Sequence, residues 1–198
     1  MNAHSQEHDD AGDHSGGDTP VLRTERLILR APRLEDVQAI CKLANNRRIA
    51  KQTRRMPFPY GAEDARQWIE GTDSSAETRY LIVCASDDAI LGAAGHWITT
   101  GGEMEVGYWI GEPYWGRGFA TEALRLVIDQ IFSDGKPEHI LGCCRVANTA
   151  SRRVLMKCGF QLVGAGMNDS RVLSGLVPVE EFLLERSVWT SLKKWSSA

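Results

Sequence analysis

The sequence has no hydrophobic run long enough to cross a bilayer, and its first residues lack the basic-then-apolar order of a secretion signal. These absences argue against a membrane protein and a secreted one, so we expect a soluble, cytoplasmic protein. Hydrophobic residues make up 42% of the 198 positions and charged residues 25%, which is ordinary for a globular domain. The length suffices for one domain with a full hydrophobic core.

Cysteine occurs five times, an odd number, without the paired two-residue spacing that zinc sites use. Each cysteine has apolar neighbours, which is typical of small buried side chains in a reducing compartment. The sequence therefore predicts no disulfide framework, and we expect no metal. The five are Cys41, Cys84, Cys143, Cys144 and Cys158.

A strong excess of positive charge is also lacking, since the formal net charge is -3. Residues 1–20 carry five acidic side chains and no Lys or Arg, so the rest of the chain has 21 of the 26 acids against 23 bases. A body with about two net positive charges is too weakly basic to indicate direct nucleic-acid binding. It is compatible with a small anionic ligand.

The first twenty residues have few apolar side chains and are rich in Gly, Ser, Asp and His. Such a segment cannot bury enough surface to offset its ordering entropy. Residues 1–20 are therefore predicted to form a disordered acidic tail, followed by one domain over residues 21–195. His4, His8 and His14 could bind a metal, although a solvated tail is the favoured interpretation.

Hydrophobic periodicity predicts a mixed α+β fold for the rest of the chain. Three predicted strands in succession precede the clearest helix, so the order is not a regular βαβ alternation. The predicted strands are VLRTERLILRAP, RYLIVCAS, AILGAAGHWITT, EMEVGYWI, HILGCCRVA, FQLVGAG and VEEFLLERSVW. The predicted helices are LEDVQAICKLANN, the second half of PFPYGAEDARQWIEG, a segment from about Gly118 to Phe132, and TASRRVLMKCG.

The stretch EPYWGRGFATEA, from Glu112 to Ala123, places two glycines and an arginine before that helix. It could be a phosphate cradle, a plain turn, a dinucleotide fingerprint or a hinge. A helix start exposes backbone N–H groups, and glycines let an anion approach them, which favours the phosphate cradle. Arg117 could add charged hydrogen bonds. Thr121 stands where the dinucleotide fingerprint needs a third glycine, and the Gly-Lys-Ser/Thr of a Walker loop is absent from the sequence.

YWIGEPYWGRGFATEA, followed by RVANTASRRVLMKCGF, closely resembles the acetyl-CoA-dependent N-acetyltransferases of the GNAT superfamily. The likeness is greatest to the RimJ/RimL-type branch, whose members acetylate N-terminal amines of ribosomal proteins, among other substrates. TERLILRAP and PFPYGAEDA resemble further parts of that branch, so the likeness spans Thr24 to Trp189. The resemblance implies the GNAT acyl-CoA N-acyltransferase fold, a single mostly antiparallel twisted sheet that is flanked by helices and splayed between its fourth and fifth strands.

The resemblance also implies acetyl-CoA as cosubstrate, held by backbone groups. Pantetheine would fill the splayed gap along Tyr108, Trp109 and Ile110, where the N–H of Tyr108 or Trp109 would stabilise the oxyanion. Asn148 matches the family's CoA-contacting asparagine, and the equally supported alternative is that it only caps its helix. The pyrophosphate would bind the N–H groups of Gly116, Arg117, Gly118, Phe119, Ala120 and Thr121.

Acetyl transfer to an amine requires a group that removes a proton from the ammonium and one that protonates the departing thiolate. Ser151 matches the branch's Asn-x-x-Ser, whose hydroxyl is placed to protonate the CoA sulfur; the alternative is a helix serine bonded to backbone. Glu105 is the candidate base, because strand alternation puts it on the face opposite Tyr108, about 10 Å away along the strand at ~3.3 Å per residue. A solvated strand carboxylate is an equally supported interpretation of Glu105.

Other polar and aromatic residues are weaker candidates. His96 and His139 are interpreted as ordinary strand or surface residues, and Glu122 as a charge that stabilises the helix start. Three tryptophans could line an acceptor pocket or pack in the sheet: Trp97, Trp109 and Trp115. A basic cluster indicates a solvated loop or, more specifically, a contact with an acidic peptide or RNA-associated substrate: Lys51, Arg54 and Arg55.

Together these features predict acetyl transfer to a primary amine, such as a protein N-terminal α-amino group, by direct attack in a ternary complex. No histidine is placed to activate Cys143 or Cys144, which argues against a covalent acyl-enzyme. Two alternatives stay open: a small-molecule acceptor (polyamine, aminoglycoside or amino acid), and a non-catalytic module that senses acetyl-CoA. A monomer and a homodimer are both compatible with the sequence.

Overall fold

The computed structural model of the chain describes residues 19–71, 77–135 and 137–196. The predicted acidic tail, with His4, His8 and His14, lies outside the described residues except for its last two positions. The described segments form one sheet with helices on both faces, as set out below.

The first predicted strand is in fact two short strands, β1 (Leu22–Arg23) and β2 (Leu27–Arg30), paired antiparallel. The turn between them is made by Thr24, whose hydroxyl oxygen accepts the backbone N–H of Leu27 at 2.9 Å. The prediction of one continuous strand was wrong because a threonine side chain that bonds its own backbone favours a turn over an extended chain.

The remaining strands join β2 in one eight-stranded sheet, in which β5 and β6 form the parallel neighbouring pair and the other neighbours are antiparallel. The sheet order is β1-β2-β3-β4-β5-β6-β8-β7. This confirms the predicted single, mostly antiparallel sheet. The added strands are β3 (Glu77–Cys84), β4 (Ile90–Ile98), β5 (Met104–Ile110), β6 (His139–Arg145), β7 (Gln161–Ser170) and β8 (Gly175–Glu185).

Helices follow the predicted positions with two differences. A short helix that the periodicity did not predict begins after Asn46, whose side-chain oxygen accepts the N–H of Arg48 at 2.8 Å. The helices are α1 (Val37–Ala44), preceded by the 3-10 turn Leu34–Asp36, α2 (Arg47–Ala50), α3 (Ala62–Glu70), α4 (Phe119–Ser133), α5 (Thr149–Lys157) and α6 (Arg186–Ser196).

The second difference concerns VEEFLLERSVW, which was predicted as a strand throughout. The strand β8 ends at Glu185, and the next residue begins α6. Arg186 anchors this junction, because its guanidinium donates to the carbonyl oxygens of Phe132 and Pro137 at 2.9 Å each. A tertiary contact therefore ends the strand where the local apolar pattern does not.

Two hydrophobic cores lie on opposite faces of the sheet. Helix α4 contributes its predicted apolar stripe to the larger core, which includes Val106 and Ile110 of β5, with Tyr108 partly buried against it. Helices α1 and α3 cover the other face, where Trp109 packs. The predicted alternation of β5 is confirmed, and it separates the side chains of the site between the two faces.

None of the helices in the described part of the chain is both long and apolar enough to cross a membrane.

Candidate active site

The site is a cleft of about 1100 Å³ at the place where β5 and β6 separate. These parallel strands are in register only at Glu105–Leu141 and Val106–Gly142, and they diverge beyond that point. This divergence is the predicted splay between the fourth and fifth strands, which are β5 and β6 here because the first predicted strand became two. The carboxyl half of β5 therefore has one edge open to the cleft.

The open edge of β5 exposes alternate backbone groups. Gly111 donates its N–H to the carbonyl of Leu91 at 2.8 Å, and in an antiparallel pair every second residue repeats that pattern. Trp109 therefore turns its backbone groups towards β4, whereas Tyr108 and Ile110 turn theirs towards the cleft. Of the two N–H groups considered for the oxyanion, the register favours Tyr108.

The glycine loop has the backbone that only glycine adopts without strain. Gly116 and Gly118 have φ of 75° and 81°, in the left-handed region. Both line the cleft, and no atom lies within 4 Å of the point where a Cβ of Gly116 would stand. An approaching group can therefore reach the backbone here.

Six consecutive backbone N–H groups, from Gly116 to Thr121, have no hydrogen-bond partner among the described residues. The first N–H with a partner is that of Glu122, which donates to the carbonyl of Gly118 at 3.1 Å. Gly116, Gly118, Phe119, Ala120 and Thr121 all line the cleft. Unpaired donors at the positive end of a 15-residue helix form the standard arrangement for binding an anion.

Arg26 stabilises this helix start, a role that the sequence did not reveal. Its Nε donates to Glu122 Oε2 at 2.8 Å, and its Nη1 donates to the carbonyl of Arg117 at 3.3 Å. The hydroxyl of Thr24 donates to Glu122 Oε1 at 2.5 Å. Glu122 is thus occupied by structural partners, which fits the predicted structural role at the helix start. The sequence places Arg26 in the turn between β1 and β2, but nothing in the local pattern indicates that this turn lies beside α4.

The side chain of Arg117 does not face the cleft, where the sequence analysis expected it to meet a phosphate. Its guanidinium stacks on the ring of Phe119 at 4.8 Å from the centroid, and it is not among the residues that line the cleft. In this conformation only its backbone N–H is directed to the anion site, and a phosphate contact of its side chain stays a prediction.

Ser151 lies at the first turn of α5, across the cleft from β5. Its Oγ is 2.8 Å from the hydroxyl of Tyr108, and its backbone N–H donates to Asn148 Oδ1 at 3.1 Å. Asn148 therefore caps α5, so the capping alternative holds, while its side-chain nitrogen has no hydrogen-bond partner among the described residues. Burial raises the pKa of Tyr108 well above its usual value, and the Ser151 bond opposes this rise. The sequence analysis assigned a role only to the backbone of Tyr108. The structure shows that its side-chain hydroxyl also belongs to the site.

Glu105 lies on the opposite face of β5, at the point where the strands begin to part. Trp97 donates its ring N–H to Glu105 Oε2 at 3.1 Å. Burial raises the pKa of Glu105, while Arg54, the Trp97 bond and Arg55 act in the opposite direction. A carboxylate with a raised pKa is a better proton acceptor, as a general base requires.

The weaker candidates divide into those inside and those outside the cleft. His139 is outside, 3.2 Å from Glu103 Oε1. His96, on β4, does not line the cleft. Burial raises the pKa of the cleft thiols Cys143 and Cys144 to about 11, so neither is a ready nucleophile near neutral pH. The residues inside include the three tryptophans and the basic cluster: Trp97, Trp109, Trp115, Lys51, Arg54 and Arg55.

No group of three or more His, Cys, Asp or Glu side chains in the described part of the chain is arranged to hold a metal ion.

A sheet that parts beside an open helix start defines an acyltransferase class of fold, and the comparisons agree. Residues 26–161 match the model of the GNAT acetyltransferase domain, so the chain belongs to the GNAT acetyltransferase family and is an N-acetyltransferase. The N-acetyltransferase p20 of Bacillus licheniformis is 31% identical over 170 residues, which cover 83% of this chain and 95% of that protein.

Two further similarities concern ribosomal-protein acetyltransferases. The ribosomal-protein-serine acetyltransferase of Escherichia coli K12 is 27% identical over 132 residues, or 64% of this chain and 72% of that protein. The structure of RimL, an alpha-N-acetyltransferase of a ribosomal protein solved with coenzyme A, has a TM-score of 0.74 at 20% identity and covers 84% of this chain and 98% of its own. The expected fold, family and RimJ/RimL-type resemblance are thus confirmed.

Proposed function

We propose that the protein transfers the acetyl group of acetyl-CoA to a primary amine, by direct attack in a ternary complex. The observation that carries this proposal is the run of unpartnered N–H groups from Gly116 to Thr121, opening into the cleft between β5 and β6. A diphosphate has several negatively charged oxygens, which can accept hydrogen bonds from several of these N–H groups at once. The solved relative RimL, which shares this fold, is described with coenzyme A bound.

The rest of the cleft has donors and acceptors suited to a pantetheine arm. The backbone groups of Tyr108 and the N–H of Ile110 face the gap that a further strand would otherwise fill. The carbonyl of Ile110 is occupied, because Trp115 donates its ring N–H to it at 2.6 Å. Asn148 has a free side-chain nitrogen at the opposite rim, so it can cap α5 and contact the cosubstrate together.

The reaction needs two proton transfers, and the cleft offers a group for each. The amine nitrogen forms a bond to the thioester carbon, and its proton passes to Glu105, directly or through one water. The N–H of Tyr108 stabilises the negative carbonyl oxygen. When the carbon–sulfur bond breaks, the hydroxyl of Ser151 donates its proton to the sulfur. Ser151 regains a proton from solvent water and Glu105 releases one to it, so both groups return to their starting states. The hydroxyl of Tyr108, 2.8 Å from Ser151 Oγ, orients the serine.

The names of two relatives support a protein N-terminal α-amino group as the acceptor. The E. coli relative is named for acetylating a ribosomal protein, and RimL is described as an alpha-N-acetyltransferase. The cleft has a volume of about 1100 Å³, which is enough room for the first residues of a peptide beside the cosubstrate's acetyl end. A small-molecule amine would use the same chemistry.

A single assay tests the proposal. The protein is mixed with acetyl-CoA and a panel of N-terminal peptides, polyamines, aminoglycosides and amino acids, and the released thiol and the product masses are followed. Acetylation of at least one primary amine, dependent on acetyl-CoA, is the expected result. Calorimetric binding of acetyl-CoA without thiol release across the panel would instead identify a sensor.

A further inference from the structure

One face of the sheet carries a group of basic side chains around the proposed base. We call the acceptor face the side of the sheet on which Trp97, Glu105, Cys143 and Arg145 lie. Trp97 and Glu105 are opposite each other in the β4–β5 register. Cys143 and Arg145 alternate with Ile140, Gly142 and Cys144, of which Ile140 and Cys144 face the α4 core.

Two connections cover the acceptor face and bring further arginines to it. The loop between α2 and α3 contributes Arg54 and Arg55, and the β7–β8 turn contributes Arg171. Arg171 Nη1 donates to the carbonyl of Arg55 at 3.3 Å, and the guanidinium of Arg145 donates to the carbonyl of Lys51. The loop, the turn and the end of β6 therefore meet over one wall of the cleft.

Most of these arginines form no direct ion pair with a described carboxylate. Arg55 lies 3.8 Å from Glu77, but Arg54, Arg145 and Arg171 have no carboxylate within 4 Å among the described residues. The Nε of Arg145 is buried and has no hydrogen-bond partner there. A buried donor without a partner is costly, so a ligand acceptor at this point would relieve it.

The carboxylates that line the same part of the cleft offset this group only in part. Glu77 is already paired with Arg79 at 2.8 Å, whereas Trp97 gives Glu105 only a neutral N–H donor. Glu105 and Asp169 remain, two carboxylates in a cleft that is also lined by Arg54, Arg145 and Arg171. The arginines outnumber these carboxylates, so the acceptor face carries a net positive charge in the cleft that also holds the candidate base.

We propose that the acceptor amine carries an anionic group, a carboxylate or a phosphate, that binds between Arg54, Arg145 and Arg171 while its nitrogen meets Glu105. An amine arrives as a cation near pH 7, so a purely cationic acceptor such as a polyamine is repelled by this region. An anionic group on the same molecule is attracted by the guanidinium groups, which bind carboxylates and phosphates in a fork geometry. This inference rests on the proposed acetyl transfer and names its substrate class.

The test uses pairs of acceptors that differ only in charge, at saturating acetyl-CoA. One pair is a peptide that starts with serine and has Asp-Glu or Asn-Gln at its second and third positions. A second pair is an α-amino acid and its carboxamide, and a third is phosphoserine and serine. We expect kcat/KM to be at least tenfold higher for the anionic member of at least one pair, and the advantage to fall as ionic strength rises.

Variants link the preference to the named residues. Arg54→Gln combined with Arg171→Gln should reduce the anionic advantage to less than threefold and leave the KM for acetyl-CoA unchanged. Arg54→Lys should retain most of it. The matched control is Arg23→Gln, an exposed arginine on β1 that does not line the cleft. Thermal unfolding of each variant measures whether the fold is retained.

The outcomes separate the two proposals. If neutral and anionic members are acetylated at equal rates, the proposal of an anionic acceptor is overturned, whereas the proposal of acetyl transfer stands. If no acceptor is turned over, the proposed function fails, and calorimetry of the same pairs in the presence of CoA still decides this inference. Equal affinities of the two members of every pair would then overturn it. A preference confined to the peptide, amino-acid or phosphate pair supports it and identifies the source of the anion.

Discussion

The hydroxyl of Tyr108 on β5 lies 2.8 Å from Oγ of Ser151 on α5. The two residues are 43 positions apart in the chain, and they face each other across the gap that the separation of β5 and β6 creates. A hydroxyl pair in this position can move a proton towards a departing sulfur, because each oxygen can both donate and accept.

The hydroxyl pair predicts that Ser151→Ala lowers kcat by about 100-fold, the lower range for loss of a general acid. Acetyl-CoA affinity should change little, since the hydroxyl is not part of the phosphate site. Steady-state kinetics and calorimetry measure the two effects. Ser191→Ala on α6 is a matched control, because that hydroxyl bonds a helix carbonyl at 2.9 Å, far from the cleft. Unchanged turnover in the Ser151 variant would make the residue purely structural.

The glycine loop predicts that Gly116→Ala raises the KM for acetyl-CoA by about tenfold or more. A side chain there points into open space and meets no protein atom, so it obstructs a ligand and not the fold. The left-handed φ of 75° adds a backbone strain of about 1–2 kcal/mol. Gly102→Ala carries the same strain at φ 82°, also with no neighbour within 4 Å, but outside the cleft. Equal KM values in the two variants would contradict the phosphate site.

Glu105 predicts an acidic limb in the pH profile of kcat/KM. Burial raises its pKa, so the carboxylate is protonated, and activity lost, at a higher pH than for an exposed glutamate. Arg54→Gln should move this limb further towards high pH, because Arg54 opposes the rise in the pKa of Glu105. Glu105→Gln should remove the limb and lower kcat. A limb that stays in place in the Arg54 variant would argue against Glu105 as the base.

Unlike the preceding substitutions, a change at the cleft cysteine Cys143 is expected to leave the activity nearly complete. Cys143→Ser should leave turnover within about twofold of the parent, because direct attack needs no thiolate and burial raises the pKa of Cys143 to about 11. Mass spectrometry of the enzyme with acetyl-CoA alone should show no acetylated protein. A large loss of activity, together with an acetyl adduct in the parent, would indicate a covalent intermediate.

Local sequence patterns were sufficient to predict most of the elements. The apolar stripe of α4 and the alternation along β5 each depend on residues within one segment, and the structure has both. The errors occur at junctions, where Thr24 makes a turn and Arg186 ends a strand through contacts with Phe132 and Pro137. Periodicity describes which side of an element is apolar, and it carries little information about where a distant side chain ends that element.

The sequence by itself determined which backbone can form an anion site, because only glycine adopts the left-handed conformation of Gly116 and Gly118 without strain. It also determined the two faces of β5, since side chains alternate along any strand. Only the tertiary structure decided that Tyr108 meets Ser151, that Arg117 stacks on Phe119, and that arginines from three separate segments line the same cleft as Glu105. These contacts join residues far apart in the chain, so they exist only once β5 and β6 part and the loops close over the sheet.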